Sequence, residues 1–351
     1  MRLTARQLNR TTLLRQLLLH RAALGTHDGV RRIVAIQAQE PASPYLALWN
    51  RLAGFDAAEL DAAFADGSVV KAPLLRVTLH AVAADDYPTF HTAMQSSLRT
   101  SRLADGRFAD SDLDPDQMAT LQDHLMGALT RPHTAAEIEA LLAAHHGVPV
   151  PRAWWALRTY APLRRAPTGG PWSFGAKQAF IAAPAAAQPA SPESALAWLV
   201  RRCLEGFGPA SLADVAQFTR LARSVIRAAI EALGDDVELH EGPDGATLYD
   251  VPGGAIAADA EPAPPRLLPM WDSVLMAYAD RSRVIPEAYR RTIIRANGDV
   301  LPTLLVDGLV AGVWRPVPGG IEATAFHPLS VDAWTGLADE ARALIAFLPD
   351  R

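Results

Sequence analysis

Gly208-Pro209-Ala210-Ser211-Leu212-Ala213-Asp214 closes one helix and opens the next. Gly208-Pro209 turns the chain, because proline lacks an amide proton and clashes with the preceding helical turn. Ser211, with Asp214 three residues on, has the form of an N-terminal cap. Upstream, Ser191-Pro192-Glu193 starts a helix that runs to Phe207; downstream, Arg223 to Leu233 forms another. Val237 to Val251 then reads as a hairpin around Pro243-Asp244-Gly245. Two short helices across a tight turn, followed by a hairpin, are the outline of a winged helix.

The outline recurs twice upstream. Pro115 to Leu129 is helical, Thr134 with Glu137 forms a capping box for a helix ending at Gly147, and Arg152 to Tyr160 gives a third, before a hairpin tipped by Thr168-Gly169-Gly170-Pro171. At the amino end, helices are expected over Thr4 to Leu24, Asp28 to Ile36, Pro44 to Leu52 and Ala57 to Phe64, then strands over Val69 to Leu74 and Arg76 to Val82. The turn Gln37-Ala38-Gln39-Glu40-Pro41 separates the second and third of these helices, since Pro41 cannot continue the one before it. Three such units suggest a tandem array rather than one globule.

From Leu267 the pattern changes to short strands, Ser282 to Ile285, Thr292 to Ala296, Val300 to Val306, Leu309 to Arg315 and Gly320 to Ala325, with turns at Asn297-Gly298 and Asp307-Gly308. A closing helix spans Leu329 to Leu348. Pro- and Ala-rich linkers at Ala182 to Pro192 and Ala257 to Pro265 mark boundaries. The expected fold is therefore α+β, with winged helices over residues 1–85, 115–185 and 190–255, a helical connector over 86–114, and a β-rich end with its closing helix over 266–351.

With 351 residues, half of them hydrophobic, the chain can bury a large core. Its single cysteine, Cys203, excludes an internal disulfide framework. No apolar run reaches membrane-spanning length, so a cytoplasmic, soluble protein is expected. Of 33 basic residues only Lys71 and Lys177 are lysine; arginine is the side chain suited to bidentate phosphate contacts, although a GC-rich genome gives the same bias. A net charge of -5 excludes an all-over basic coat and leaves local basic patches open.

Arg220, Arg223 and Arg227, at spacings of three and four, are expected to share one helical face, as phosphate contacts or as an ordinary solvated face. Arg281 and Arg283, flanking a strand beside Asp280, are DNA contacts or members of a structural ion pair. Asp110, Asp112, Asp114 and Asp116 imitate a calcium loop, but Pro115 stands where glycine is required and Leu121 where the bidentate glutamate belongs. His145-His146 has no third ligand at metal spacing. Neither a metal nor a nucleotide cofactor is expected, because no phosphate-cradling glycine loop and no hydrolase signature occurs. Gln37 and Gln39, a pair that ordinarily does no more than face water, follow the apolar run Ile33-Val34-Ala35-Ile36 at a point where both can face one way.

These segments together resemble the AlkZ-type winged-helix DNA glycosylases, a family that includes the bacterial YcaQ-like proteins. Ile36-Gln37-Ala38-Gln39 fits the family's glutamine-apolar-glutamine catalytic motif, and Leu75-Arg76-Val77-Thr78-Leu79-His80 its first wing, with Val77 where glycine is expected. Gly208 to Asp214 looks like its third helix-turn element. Leu268-Pro269-Met270-Trp271-Asp272-Ser273-Val274-Leu275 and Val306 to Arg315 resemble its β-rich end. The resemblance implies a C-shaped arrangement of the three units around duplex DNA and a monomer. It also implies hydrolysis of the N-glycosidic bond of N7-alkylguanine, including bulky adducts or interstrand crosslinks. Gln39, rather than aspartate, places the chain with the self-resistance branch. Catalysis is implied for Gln37 and Gln39, with Arg76 and His80 as weaker candidates for DNA or sugar contacts; a buried structural His80 is the alternative.

Amides suffice for such a substrate. N7 alkylation makes the base cationic, so it departs without protonation, and the remaining work is to position water and stabilise developing sugar charge with fixed dipoles. The competing reading is a non-catalytic winged-helix transcriptional regulator, which would bind one operator, usually as a dimer.

Overall fold

The computed structural model describes residues 1–184 and 189–348, so positions 185–188 of the expected first linker lie outside the described residues. Helix α1 (Ala5–Arg15) is opened by a Thr4/Gln7 capping box. It ends well short of the expected Leu24, because Leu17 takes a positive φ of 57° and turns Leu18 and Leu19 into the core.

The first unit runs α2 (Thr26–Arg32), β1 (Ile36–Gln37), α3 (Ser43–Arg51), α4 (Ala57–Asp66), β2 (Val69–Pro73) and β3 (Leu79–Ala83). Here the expected helix to Ile36 is corrected. Val34 has φ 73°, and the β-branched run Ile33-Val34-Ala35-Ile36 enters a strand that pairs with β3. Gln37 thus sits on a strand, opposite His80, and not in a turn.

After α5 (Tyr87–Leu103) and α6 (Gly106–Ala109), the second unit follows the same path: α7 (Pro115–Ala128), β4 (His133–Thr134), α8 (Ala135–His146), α9 (Pro151–Tyr160), β5 (Leu163–Ala166) and β6 (Ala179–Ala182). The third has α10 (Pro192–Phe207), α11 (Leu212–Thr219), α12 (Arg223–Leu233), β7 (Glu238–Glu241) and β8 (Thr247–Asp250). Its short first strand is reduced to Ala210, bridged to Tyr249. In every copy the segment before the helix-turn-helix pairs antiparallel with the second hairpin strand, through Gln37–His80, Thr134–Ala179 and Ala210–Tyr249. Sheet orders β1-β3-β2 and β4-β6-β5 express the same topology.

The remainder contains β9 (Arg266–Leu268), α13 (Arg290–Ile293), β10 (Thr303–Val306), β11 (Leu309–Val317), β12 (Gly320–Ala325) and α14 (Val331–Phe347), the strands in the order β12-β11-β10-β9. Asp307 and Gly308, both at positive φ, make the expected two-residue turn between paired Val306 and Leu309. Two expected strands are absent: 281–283 is a 3-10 turn capped by Asp280, and 290–293 is helical with a single bridge, Ile294–Val300, beyond it. Among the described residues, no helix is long and apolar enough to cross a membrane.

The units are not separate beads on a string. One apolar cluster runs from Val70 and Val82 in the first sheet through Phe90 and Met94 of α5 to Leu157 of the second unit and Leu204 and Phe218 of the third. Two buried bidentate ion pairs add directional ties. Arg15 meets Asp250 at 2.6 and 2.7 Å, linking α1 to the third hairpin. A Cβ on Gly208 would lie 2.5 Å from that carboxylate, which is why the helix-breaking pair begins with glycine. Arg51 meets Asp272 at 2.8 Å through both nitrogens, linking α3 to the β-rich end. Removing one partner strands a buried charge. Asp272→Ala is therefore expected to lower the unfolding free energy by about 3–5 kcal/mol, read by urea denaturation; a loss within about 0.5 kcal/mol would show that water reaches Arg51.

Candidate active site

Gln37 is 5 % exposed. Its Oε1 accepts a 2.6 Å hydrogen bond from Arg76 Nη2, and the same nitrogen lies 3.0 Å from His80 Nε2. The other arm of the guanidinium, Nη1, donates to the Phe218 carbonyl at the end of α11, 2.9 Å away, and the group stands 5.2 Å from that residue's ring. His80 Nδ1 is 2.9 Å from the Thr78 carbonyl. A carbonyl only accepts, so Nδ1 carries the proton and Nε2 offers its lone pair to Arg76. Because guanidinium only donates, the amide oxygen of Gln37 must face it, which turns the Nε2 donor of Gln37 the other way.

Charge at this network is set by burial. Burial, with the charge of Arg76 adding, pushes the His80 imidazole down to about 3, against the opposing bond to Thr78, so it is neutral at physiological pH. Burial, then repulsion from Arg281 and Arg220, pushes Arg76 down to about 10, and it stays charged. Among the described residues no carboxylate bonds to the side chains of Gln37, Arg76 or His80.

Arg76 is presented by a strained turn. Arg76 and Val77 both have positive φ, 56° and 57°, a conformation costly for a β-branched side chain. Val77 thus occupies a backbone position where the expected glycine would be unstrained. Gln39 is exposed, and its Oε1 accepts from the Leu79 amide at 3.0 Å. The glutamines flank Ala38, whose own amide bonds to the Leu79 carbonyl. Gln37 is thereby held from within the protein, and Gln39 is held at its surface.

The other expected residues divide. His80, expected as a DNA or sugar contact, is fully buried and acts behind Gln37, which favours its structural reading. Arg220 is not on the α12 face: it is the left-handed cap of α11, with φ 66°, and only Arg223 and Arg227 share α12, both exposed. Arg220 borders a cleft of about 1600 Å³ together with Ser96, Arg99 and Thr100 of α5. Arg281 and Arg283 lie on the 3-10 turn rather than beside a strand, and neither forms an ion pair among the described residues. Arg281 bonds the Leu275 carbonyl at 2.8 Å; Arg283 bonds the Pro209 carbonyl at 3.0 Å and stacks on Tyr278. Arg283 is thus a structural brace, while Arg281 contributes charge beside Arg76. Sequence reasoning missed the Phe218 carbonyl and the Leu79 amide, since main-chain groups leave no side-chain signature. It also passed over Lys71, which is visible only as one of two lysines among arginines.

A family model described as DNA glycosylase AlkZ-like matches residues 30–347. The chain belongs to this AlkZ-like DNA glycosylase family. A curated relative, the Interstrand DNA cross-link repair glycosylase of Streptomyces sahachiroi, is 25 % identical over 333 residues, covering 89 % of this chain and 88 % of its own length. The solved structure of the DNA glycosylase AlkZ from the same organism superposes with a TM-score of 0.84 at 21 % identity, over 99 % of this chain and 97 % of that one. Family membership gives the transcriptional-regulator alternative no support.

The buried imidazoles have a measurable consequence. His80 and His91, pushed down to about 3 and about 4 chiefly by burial, take up protons in the unfolded chain first. Stability from keeping them neutral is complete above pH 6.5 and is lost as pH falls from there toward 4, roughly 2 kcal/mol from each by pH 5. Urea unfolding at pH 7.5 and pH 5 should show His80→Gln losing less stability than the native chain; equal losses would mean that His80 is reached by solvent.

Proposed function

We propose that this chain is a monofunctional, hydrolytic DNA glycosylase that cleaves the N-glycosidic bond of N7-alkylguanine in duplex DNA, acting as a monomer in base excision repair or self-resistance. On this reading the three copies are winged helices over residues 1–85, 115–185 and 190–255, set in a C around the duplex, with the 86–114 connector and the 266–351 end completing the frame. The name of the Streptomyces sahachiroi relative extends the substrate class to interstrand crosslinks.

The observation that carries the reading is the specialisation of one copy. The position that holds Gln37 in the first unit is Thr134 in the second and Ala210 in the third. Only there does an amide stand on the short strand, oriented by a half-buried arginine with a neutral histidine behind it. An amide whose bonded partners include no carboxylate suits a leaving group that is already cationic. The Nε2 donor and the second oxygen lone pair of Gln37, together with the amide of Gln39, supply fixed dipoles for water and for the sugar cation. Arg76, Arg220 and Arg281 supply the positive field that a phosphodiester backbone answers.

The test is release of free N7-methylguanine from methylated duplex, read by chromatography, with binding followed by fluorescence anisotropy. Gln37→Ala with Gln39→Ala is expected to slow release by about 100-fold or more while leaving duplex binding within a factor of about two. Native protein that binds methylated duplex and releases no base would sink the enzymatic reading.

A further inference from the structure

Lys71 is a buried ammonium without a counter-ion. It occupies the middle of β2 opposite Ala81 and is only 4 % exposed. Among the described residues it has no hydrogen-bond or ion-pair partner; its Nζ rests 3.9 Å from the centre of the Phe174 ring. Lysine is almost never buried unless paired, because desolvating a charge is costly. The space it faces is a cavity of about 110 Å³, which it lines together with Gln39, Arg165, Phe174, Lys177 and Gln178. The only two lysines of the chain meet there.

The surroundings of Lys71 are cationic. Arg165 of β5 is held by Gln178, 2.5 Å away, and stacks 4.1 Å from the Phe180 ring, so it cannot swing clear without breaking both contacts. Lys177, on the segment entering β6, is exposed. Glu40, beyond β1, is the one carboxylate whose attraction bears on Lys71, and it is outweighed by burial and by Arg165. Burial, then Arg165, pushes the ammonium down to about 7. Three cations converge on a small cavity whose lining includes no carboxylate. Its volume suits a phosphate group and is too small for a nucleoside, and lysines bind phosphate as point charges.

We infer that this cavity receives a phosphodiester group of the DNA strand, held by Lys71, Arg165 and Lys177 directly beside Gln39. The inference rests on the base-excising function proposed above. Gln39 and Lys71 come from the first unit, and Arg165, Lys177 and Gln178 from the second unit's hairpin. A bound phosphate would therefore clamp the two together and fix the register of the strand at the glutamine motif.

Having two lysines makes the test direct. Protein labelled with carbon-13 at lysine Cε gives two resonances, assigned through Lys177→Arg, and each is titrated with pH in three states: free, with undamaged duplex, and with inorganic phosphate at equal phosphate concentration. Anisotropy on the same samples reports duplex binding. The titration of Lys71 is expected to rise by about one unit or more with duplex and to stay put with inorganic phosphate. Lys71→Met, a substitution that removes a buried charge and keeps the bulk, should fold normally by thermal melting. At pH 6 it should reduce the slope of log affinity against log salt by about one.

Bound duplex that leaves the Lys71 titration unmoved would overturn the inference, as would an unchanged salt slope at pH 6. An equal rise with inorganic phosphate would overturn the strand assignment in favour of a free-anion site. If no duplex binds at all, the DNA reading itself fails. Concentrated inorganic phosphate then decides the pocket separately: a rise keeps it as an anion receptor, and no rise removes it.

Discussion

A guanidinium has five donors and no acceptor, and the candidate site is organised around that asymmetry at Arg76. It fixes the amide of Gln37 with oxygen inward, it requires the His80 tautomer whose lone pair faces it, and it reaches the Phe218 carbonyl in the third unit. One side chain therefore joins the first hairpin, the short strand and the third helix-turn-helix. The backbone strain at Arg76 and Val77 follows from the same demand, since the turn must aim this side chain back across β3 and β1. A lysine in its place would keep the charge but could not bond the amide, the imidazole and the carbonyl in one plane.

Repetition supplies the scaffold, and departure from it supplies the site. Each copy brings a short segment against the second hairpin strand, a pairing that ties the following helices to the hairpin. In the second and third copies that segment carries Thr134, which pairs and caps α8, and Ala210, which pairs; neither offers an amide side chain. In the first copy it carries an amide whose oxygen is committed to the protein and whose donor is not. The Phe218 carbonyl shows that the other copies still take part, through the main chain.

The third copy was the most legible part of the sequence, because its signals are local. Ser211 and Asp214 form the capping box their spacing suggests, and α12 spans Arg223–Leu233. The Thr134/Glu137 box opens α8 for the same reason. Errors fell where local pattern and tertiary context disagree. The run Ile33 to Ile36 continues a helical stretch on paper, yet its β-branched residues pair with β3, which moved Gln37 from a turn to a strand. Ser282 to Ile285 reads as a strand, yet the chain there forms a 3-10 turn over Arg281–Arg283 capped by Asp280. At the site, the two glutamines were legible through motif resemblance, whereas the burial of His80 and the isolation of Lys71 depend on what folds over them from distant positions.

The apolar cluster that threads all three copies has a mechanical consequence. Elements that share one interior cannot slide past one another without opening it, since packed cores resist continuous deformation. The array is therefore a stiff template and not a flexible clasp. When a stiff body meets a duplex, the cost of conforming falls on the nucleic acid, and that cost depends on how easily the duplex bends at the point of contact. On the glycosylase reading, any bending needed to seat the duplex is therefore done by the nucleic acid and not by the protein.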